Sequence, residues 1–378
     1  MKSKGILYLN RFAEIGGAEL SLQTLADCLR DTDYRPVVVL MQDGPLRQRL
    51  EKMDITVYVY PFDLCHSNKP ILFMRTIAFL RRIIKKEGIK LIHSNQVWDN
   101  QYGAVSAKIE QIPHILHVRL SPPVSKSSWK SFYNLGSMAI CNSEYTRSQF
   151  INSSRFRKRI DVIYNGIDTN TFKPDPKKRS DMREHYGFKD DDFVMGMAGR
   201  LTEEKGQLPL LKVLLPLLRE NKNYKILISG DAKTNPDTIY PEQIVAFINK
   251  NGLDRKIILT GFLEDMTSFY NAIDLFLFPS TWEEPFGRVL IEAMSTEKPV
   301  IASRVGGVPE VVDHEMTGYL VNPSDVDGWC KCIDTLVNDE NLRNQFGENG
   351  RKKVLKKFTL EHMTSRIVSI YSEMINSS

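Results

Sequence analysis

The chain has 378 residues, of which 42% are hydrophobic and 26% charged, and its formal net charge is +5. This composition is typical of a water-soluble globular protein, and no apolar run approaches the ~20 residues that a membrane-spanning helix needs. The length exceeds what one core usually organises, which predicts two domains. No signal peptide is evident, because the apolar residues 6–9 are followed at once by Asn10 and Arg11, so we expect a cytoplasmic protein.

Charge is divided unevenly along the chain. Residues 1–172 contain 24 Lys and Arg against 15 Asp and Glu, a net +9, whereas residues 173–378 contain 27 against 31, a net −4. This asymmetry predicts that the first half meets an anionic partner or surface. Nucleic acid is disfavoured, because no helix-turn-helix, zinc finger or aromatic RNA platform accompanies the charge. An anionic membrane or a phosphorylated acceptor fits better.

The cysteines give no sign of a disulfide framework or a structural metal. They are odd in number and lack paired, zinc-like spacing. Reduced, buried thiols are therefore expected at Cys28, Cys65, Cys141, Cys330 and Cys332.

Short apolar runs alternate with helical patterns throughout, which predicts two doubly wound α/β domains that face each other across a cleft. The polar segment 173–192 is the predicted linker, so the domains are expected at residues 1–172 and 173–358. The first sheet is predicted from strands at residues 6–9, 37–41, 57–60, 91–93, 115–118 and 138–141. The second is predicted from strands at residues 193–198, 225–229, 257–260, 275–278, 300–302 and 319–321.

Residues 71–86 (ILFMRTIAFLRRIIKK) combine apolar positions at helical spacing with a basic end. An ordinary domain helix with cations near its favoured terminus explains the pattern. A basic amphipathic helix that lies on anionic headgroups is the alternative, so peripheral contact with the inner face of the membrane stays open.

Adjacent glycines, Gly16 and Gly17, follow the first predicted strand and precede a helix. Such a turn lets the backbone approach a ligand closely, although it is also a common tight turn. The spacing is neither GxGxxG nor a P-loop, which disfavours a nicotinamide dehydrogenase and a P-loop kinase.

Two cations follow the strand at residues 193–198. Arg200 comes directly after Gly199, and Lys205 lies five residues later. Arg as a fork and Lys as a point charge can neutralise a diphosphate at the carboxyl end of the strand. A solvated charged loop is the simpler explanation for this cluster taken alone.

Two carboxylates, Glu284 and Glu292, flank a Pro-Phe-Gly turn at residues 285–287 that opens a helical run. Unpaired N–H groups at a helix start favour an anion such as phosphate. Carboxylates accept hydrogen bonds from hydroxyl-rich partners, so sugar and ribose hydroxyls fit Glu284 and Glu292.

These motifs resemble the retaining glycosyltransferases of the two-Rossmann GT-B architecture, specifically the large bacterial family 4. The resemblance spans nearly the whole chain. The matching motifs are Gly16-Gly17-Ala18-Glu19, Asn165-Gly166-Ile167-Asp168, Gly199-Arg200 with Glu204-Lys205-Gly206, Glu284 with Glu292, and Gly306-Gly307-Val308-Pro309-Glu310.

The resemblance implies a role for each matching residue. Arg200 and Lys205 would hold the donor diphosphate and Glu292 the ribose. Glu284, with backbone from Phe286 and Gly287, would hold the transferred sugar. Gly16 and Gly17 would approach the donor from the other domain. His117 lies where the family has a histidine near the sugar and acceptor, although a structural histidine at a strand end explains it equally well.

The chain departs from the family pattern at Arg288, where an apolar or small residue is usual after Phe-Gly, and at His117-Val118-Arg119, where a small residue often follows the histidine. Both changes add positive charge. The resemblance also implies that the C-terminal helix, residues 359–378, crosses back onto the first domain.

The expected activity is transfer of a sugar from a nucleotide diphosphate sugar, most simply a UDP-sugar, to a saccharide or lipid-linked acceptor. Retention of anomeric configuration is expected, without a metal or added cofactor, and the nearby Asp-x-Asp match, at residues 190–192, lies in the predicted linker. A GT-B sugar-nucleotide epimerase and a non-catalytic sugar-nucleotide binding subunit remain as alternatives.

Overall fold

The computed structural model describes residues 3–62, 69–120, 132–154, 156–231 and 239–377. Cys65 lies outside these ranges. The chain forms two compact units, and the chain returns to the first after completing the second. The first comprises Met1–Gly166 with Leu360–Ser378, and the second comprises Ile167–Thr359.

Thirteen strands are present in the described ranges, all predicted from sequence except β7. They are β1 (Lys4–Asn10), β2 (Tyr34–Leu40), β3 (Thr56–Val59), β4 (Ile89–Ser94), β5 (His114–Val118), β6 (Met138–Cys141), β7 (Ile160–Val162), β8 (Phe193–Ala198), β9 (Tyr224–Ser229), β10 (Ile257–Gly261), β11 (Leu275–Phe278), β12 (Val300–Ser303) and β13 (Gly318–Val321).

Helices fill most of the connections between the strands. They are α1 (Gly17–Leu29), α2 (Pro45–Glu51), α3 (Pro70–Glu87), α4 (Asn100–Glu110), α5 (Glu144–Ser154), α6 (Pro176–His185), α7 (Gln207–Glu220), α8 (Tyr240–Lys250), α9 (Met266–Ala272), α10 (Arg288–Ser295), α11 (Val308–Val311), α12 (Val326–Asn338), α13 (Glu340–Lys357) and α14 (Leu360–Asn376).

The first unit is a parallel sheet covered by helices on both faces. Its strand order is β3-β2-β1-β4-β5-β6-β7. Because side chains alternate along a strand, Ile6 and Tyr8 of β1 pack with α1 and α14, while Leu7 and Leu9 pack with α3 and α4. Burial on both faces explains why these strands are nearly continuous apolar runs in the sequence.

The second unit is a parallel sheet in the order β10-β9-β8-β11-β12-β13. One face of its sheet packs with apolar residues of α7, α8 and α12. On the other face the Tyr270 ring of α9 lies 5.6 Å from the Phe276 ring of β11. The fold class predicted from sequence, two doubly wound α/β domains, is therefore confirmed.

The prediction that residues 173–192 form a linker is wrong. The segment contains α6 and belongs to the second unit, which begins at Ile167. Its Arg183 is buried and donates to the carbonyls of Ala272, Lys189 and Asp192. Arg183, one of the charges that make the segment look solvated in the sequence, is thus a hydrogen-bond donor to backbone carbonyls inside the unit.

The basic segment 71–86 forms most of α3. The apolar side of this helix packs against the sheet of the first unit, on the face that contains Leu7 and Leu9. Ile71 and Met74 in its first turns stay exposed, as do the basic side chains further along. Contact with an anionic membrane therefore remains a prediction. None of the described helices combines the length and the apolar character needed to cross a bilayer.

Candidate functional site

Three loops of the second unit emerge at one edge of its sheet. They follow β8, β11 and β12, which are neighbouring parallel strands, so their carboxyl ends meet. The loops contain residues 199–206, 279–287 and 304–307. This arrangement brings together the predicted residues Arg200, Lys205, Glu284 and Gly287.

The first two loops are joined through their backbones. The Thr281 N–H donates to the Glu204 carbonyl at 2.9 Å, and the Ser280 hydroxyl donates to the same oxygen at 3.1 Å. Gly206 has a φ of +69°, and a Cβ there would lie 2.0 Å from the Pro279 oxygen. Glycine is therefore required at residue 206 both by the turn and by the approach of the second loop.

The second and third loops are joined just as closely. The Gly307 N–H donates to the Glu284 carbonyl at 2.7 Å, and the Gly306 N–H donates to the Glu283 carboxylate at 2.7 Å. A Cβ on Gly306 would lie 2.2 Å from the Glu284 oxygen. The backbone of Glu284 is consequently fixed from both sides.

The side chains of Lys205 and Glu284 form an ion pair. The Lys205 Nζ lies 2.5 Å from Glu284 Oε2, and the two side chains are only 18% and 16% exposed. The Lys205 ammonium also lies 5.7 Å from the centroid of the Phe278 ring. Restricted contact with water strengthens such a pair relative to one on the surface.

Arg200 differs from Lys205, because its residue is exposed and its guanidinium forms no ion pair within the part of the chain that the structure describes. Its carbonyl accepts a hydrogen bond from Gln207 at 2.8 Å, which anchors its backbone. Arg200 is thus a cation held in place at its backbone, with a side chain that remains available to an anion.

The helix α10 starts at this edge. Gly287 is its N-cap with a φ of +87°, a left-handed conformation that favours glycine. Phe286 is buried, with its ring centroid 5.7 Å from that of Phe358. The Leu290 N–H donates to the Gly287 carbonyl at 3.0 Å. The N–H groups of the first residues of a helix have no carbonyl before them within the helix, so this terminus attracts negative charge.

Glu292 lies on the buried side of α10, about one turn from the start of the helix. Its carboxylate already has two hydrogen-bond partners. Its Oε2 accepts from the Tyr270 hydroxyl at 2.9 Å, and its Oε1 accepts from Arg288 Nε at 2.9 Å. Burial and the Glu292 charge hold the pKa of Tyr270 well above its usual value, so the phenol remains a donor. A ribose bound to Glu292 would share the carboxylate with these two groups.

Arg288 therefore does more than add charge. Its Nη1 is buried and has no hydrogen-bond partner among the described residues. From the sequence, Arg288 was only a departure from the family pattern, and its contact with Glu292 was not predicted. The spacing of four along a helix was the available signal.

Gly16, Gly17 and His117 lie in the first unit. Gly16 is the N-cap of α1 with a φ of −129°, and Gly17 begins the helix. A Cβ on Gly17 would meet nothing within 4 Å. The packing of the first unit thus does not itself require glycine at residue 17.

His117 lies at the end of β5 and is buried. Its Nδ1 lies 3.1 Å from His93 Nε2 and 3.3 Å from Arg119 Nη2. Its Nε2 is buried and has no hydrogen-bond partner among the described residues. Burial, with the nearby Arg119 charge, holds the pKa of His117 well below its usual value, so the ring is neutral.

His93 and Tyr371 were not predicted from the sequence to contact His117. His93 is the last residue of one predicted strand, and His117 is the last but one of another. This shared position near strand ends was the signal in the sequence that the two histidines could meet. Tyr371 gave none, because it is 278 residues further along the chain from His93.

Within the described ranges, no group of three or more His, Cys, Asp or Glu residues is arranged to hold a metal ion.

Two family models match the chain, one after the other. The model described as "Glycosyltransferase Family 4" matches residues 15–171, and the model described as "Glycosyl transferases group 1" matches residues 178–353. The second match includes all three loops of the candidate site.

Individual relatives agree with the models. The capsular polysaccharide biosynthesis glycosyltransferase CapM of Staphylococcus aureus is 32% identical over 214 residues, which is 57% of this chain and 54% of CapM, so this match spans about half of that protein. The UDP-Gal:alpha-D-GlcNAc-diphosphoundecaprenol alpha-1,3-galactosyltransferase of Escherichia coli is 24% identical over 374 residues, 95% of this chain and 94% of that protein.

A solved structure extends the likeness to three dimensions. Anabaena Alr3699/HepE in complex with UDP and glucose superposes with a TM-score of 0.85 at 28% identity, covering 97% of this chain and 99% of that one. The chain belongs to the group 1, family 4 glycosyltransferases and has the GT-B fold.

Proposed function

We propose that the protein transfers a hexose from a UDP-sugar to a saccharide or lipid-linked acceptor, with retention of anomeric configuration. The observation that supports this most directly is the joining of three loops at one sheet edge of the second unit. They present Arg200, the Lys205–Glu284 pair and the start of α10 together.

The donor diphosphate is proposed to bind Arg200, Lys205 and the first-turn N–H groups of α10. Breaking the glycosyl–phosphate bond builds negative charge on the leaving diphosphate. Cations and N–H groups that are already fixed in position stabilise this charge as it develops, which lowers the barrier. Because two side-chain cations can supply the positive charge, we propose that the reaction needs neither a metal ion nor an added cofactor.

Glu284 is proposed to accept hydrogen bonds from hydroxyls of the transferred sugar. Its Oε2 faces Lys205, and its backbone is held by Gly307. A carboxylate in a rigid loop next to the diphosphate cation is well placed to orient a sugar attached to that diphosphate. Glu292 is proposed to accept from the ribose hydroxyls while it keeps Tyr270 and Arg288 as partners.

The comparisons favour uridine as the donor base. The HepE neighbour was solved with UDP and with UDP-glucose, and the name of the E. coli relative specifies UDP-Gal. These are properties of those proteins, and we extend only the UDP moiety to this chain.

The first unit is proposed to bind the acceptor. The net charge of +9 over residues 1–172 suits an acceptor that contains phosphate, such as a lipid-linked diphosphate. The E. coli relative is named for an acceptor of this class. Peripheral contact with an anionic membrane would follow from the same charge.

The first experiment measures binding of UDP, UDP-glucose, UDP-galactose and UDP-N-acetylglucosamine by calorimetry and thermal shift. A ligand at 100 times its dissociation constant stabilises the folded state by about 2.7 kcal/mol, so a true donor raises the melting temperature. The Arg200→Ala variant should bind UDP more weakly, and Lys212→Ala, which removes an exposed cation from α7, should bind it normally. Equal binding by both variants would contradict the diphosphate assignment.

The second experiment tests turnover with the preferred donor and a panel of lipid-linked and free saccharides, with and without EDTA. Product that requires an added acceptor supports a transferase, and NMR of its anomeric proton tests retention. Conversion of the donor without an acceptor would instead indicate an epimerase. Tight binding without turnover would indicate a binding subunit, and activity abolished by EDTA and restored only by a divalent ion would contradict metal independence.

A further inference from the structure

A row of four buried polar side chains crosses the first unit. The Tyr8 and Tyr371 hydroxyls are 2.7 Å apart, and the Tyr371 hydroxyl lies 2.5 Å from His93 Nδ1. His93 Nε2 in turn lies 3.1 Å from His117 Nδ1. All four side chains are almost completely buried. The row begins in β1 and α14 and ends at His117, the histidine that the sequence predicted to lie near the sugar and acceptor.

The register of the sheet explains why these side chains meet. Tyr8 is paired with His93, and His93 is paired with Ile115, so His117 two residues later points to the same face. This face packs against α14, which contributes Tyr371. The ring centroids of His93 and His117 are 5.3 Å apart.

Arg119 fixes the direction of the hydrogen bonds. A guanidinium has donors only, so His117 Nδ1, 3.3 Å from Arg119 Nη2, must be the acceptor and cannot be protonated. The proton of the neutral His117 ring is therefore on Nε2. Arg119 is itself positioned by Asn95 and Asn165, whose side-chain oxygens each accept at 2.9 Å.

The remaining directions follow from this one. His93 Nε2 is then a second donor that shares the one lone pair of His117 Nδ1 with Arg119, since His117 Nδ1 has no proton to give. His93 Nδ1 is then the unprotonated nitrogen of a neutral ring and accepts from the Tyr371 hydroxyl. Tyr371 has used its only proton, so its oxygen accepts from the Tyr8 hydroxyl.

The surroundings keep both rings neutral. Burial first, and then the Arg119 charge, hold the pKa of His93 and of His117 well below the usual value. His114 is the other histidine close enough to act on His93. Burial holds the pKa of Tyr8 and Tyr371 far above its usual value, so both phenols remain protonated donors.

We infer that His117 is locked as an Nε2–H donor and that Tyr371 and His93 are positioning residues that act through it. Such a ring cannot act as a general base through Nε2, because this nitrogen already has its proton. It can only donate, to an oxygen such as a hydroxyl of the sugar or acceptor. The choice of that oxygen depends on the proposed function, whereas the protonation pattern does not.

The pattern can be measured on the ligand-free wild-type protein by NMR of 15N-labelled histidine rings. The His93 and His117 signals are assigned as those lost in His93→Gln and His117→Gln. At pH 7 both residues should show a protonated Nε2 and an unprotonated Nδ1. A His117 ring with its proton on Nδ1, or with protons on both nitrogens, would overturn the inference.

The positioning role is tested with Tyr371→Phe against Tyr34→Phe. Tyr34 packs edge-on against the Tyr371 ring at 5.6 Å, and its hydroxyl bonds Ser372 outside the row, so it is a matched control. Loss of the Tyr371 hydroxyl leaves His93 Nδ1 without its donor, so the His93 Nδ1 signal should shift and the ring should lose its fixed orientation. We expect kcat to fall about tenfold with little change in the donor KM, the scale of one lost hydrogen bond.

The outcomes separate the two proposals. If Tyr371→Phe matches Tyr34→Phe in both the His93 signals and kcat, the positioning role is wrong. If the tautomers are as expected but no sugar is transferred, the proposed function fails and the locked donor stands. If Tyr371→Phe does not fold, the wild-type spectrum alone still decides the protonation pattern.

Discussion

Lys205 Nζ and Glu284 Oε2 lie 2.5 Å apart, so the cation assigned to the diphosphate and the carboxylate assigned to the sugar are members of one ion pair. The pair comes from loops after two neighbouring strands and is largely shielded from water. Each member holds the other in place before any ligand arrives, which reduces the reorganisation that donor binding would otherwise require.

Removing Lys205 should therefore damage catalysis strongly. Lys205→Ala deletes the proposed diphosphate contact and leaves the Glu284 carboxylate without its cation, so we expect kcat/KM to fall about 10²- to 10³-fold, as when an oxyanion donor is lost. Glu284→Gln should instead lower kcat while UDP affinity stays the same or rises, because Lys205 is then free for the diphosphate. Steady-state rates and UDP calorimetry check both, and Lys212→Ala is the control. Wild-type kcat/KM in Lys205→Ala would contradict the assignment.

Gly306 should be intolerant of any side chain. Its φ is +53°, and a Cβ would lie 2.2 Å from the Glu284 oxygen, so Gly306→Ala must displace the Glu284 loop. Gly187 has a φ of +68°, but a Cβ added there would meet nothing within 4 Å. Gly187→Ala should therefore cost only the strain of a left-handed backbone, about 1–2 kcal/mol. We expect Gly306→Ala to lower both the melting temperature and kcat, and Gly187→Ala to lower the melting temperature alone. Equal kcat in the two variants would argue against a fixed Glu284 backbone.

The helix α14 should be essential to the first unit. Ile367 is fully buried in its core, so Ile367→Ala should destabilise that unit by about 2–5 kcal/mol. Ser369→Ala, at an exposed position of the same helix, should be near neutral. Urea unfolding followed by circular dichroism compares the two. A chain truncated after Phe358 that kept full activity would refute the role of this helix.

Stability should fall as the pH drops below about 6.5, the ordinary pKa of an unfolded histidine. Burial lowers the pKa of His114 to about 3, so the unfolded chain takes up a proton there that the folded chain refuses. The loss is about 1 kcal/mol between pH 7 and pH 5.5. Asp99 acts in the opposite sense, because burial and the Glu19 charge raise its pKa and the folded state retains its proton.

The His114 contribution is isolated by comparing melting temperatures across this pH range in the wild type and in His114→Gln. Glutamine can still bond the Ser94 hydroxyl, which lies 2.9 Å from His114 Nε2. The variant should lose less stability at low pH than the wild type. His185→Gln, at an exposed position, should follow the wild type. Parallel curves for all three proteins would contradict the argument.

Much of the fold followed from the sequence because parallel strands buried on both faces are conspicuous apolar runs. The strand β7 was missed, since Ile160–Val162 has three half-buried residues at a sheet edge. Segment 173–192 was misjudged because burial of Arg183 against carbonyls has no signal in a single sequence. The clustering of Arg200, Lys205 and Glu284 was predictable, because loops after neighbouring parallel strands share an edge.

The pairwise contacts within the site were not predictable. The bond between Lys205 and Glu284 depends on how two loops approach, and the Tyr270 contact with Glu292 depends on helix packing. The row from Tyr8 to His117 needs the register of three strands and a helix hundreds of residues away. Sequence patterns report which residues are buried, but the identity of their partners is set by tertiary structure.

Because residues 360–376 complete the core that residues 4–162 begin, the order of synthesis differs from the order of assembly. As the chain leaves the ribosome, the stretch from Ile167 to Thr359 has all its own core residues before the earlier stretch does. Until α14 emerges, the surface of residues 4–162 that packs against this helix stays uncovered. This face is apolar and stays exposed on the nascent chain in the meantime, and the Tyr371 row is among the last contacts to form.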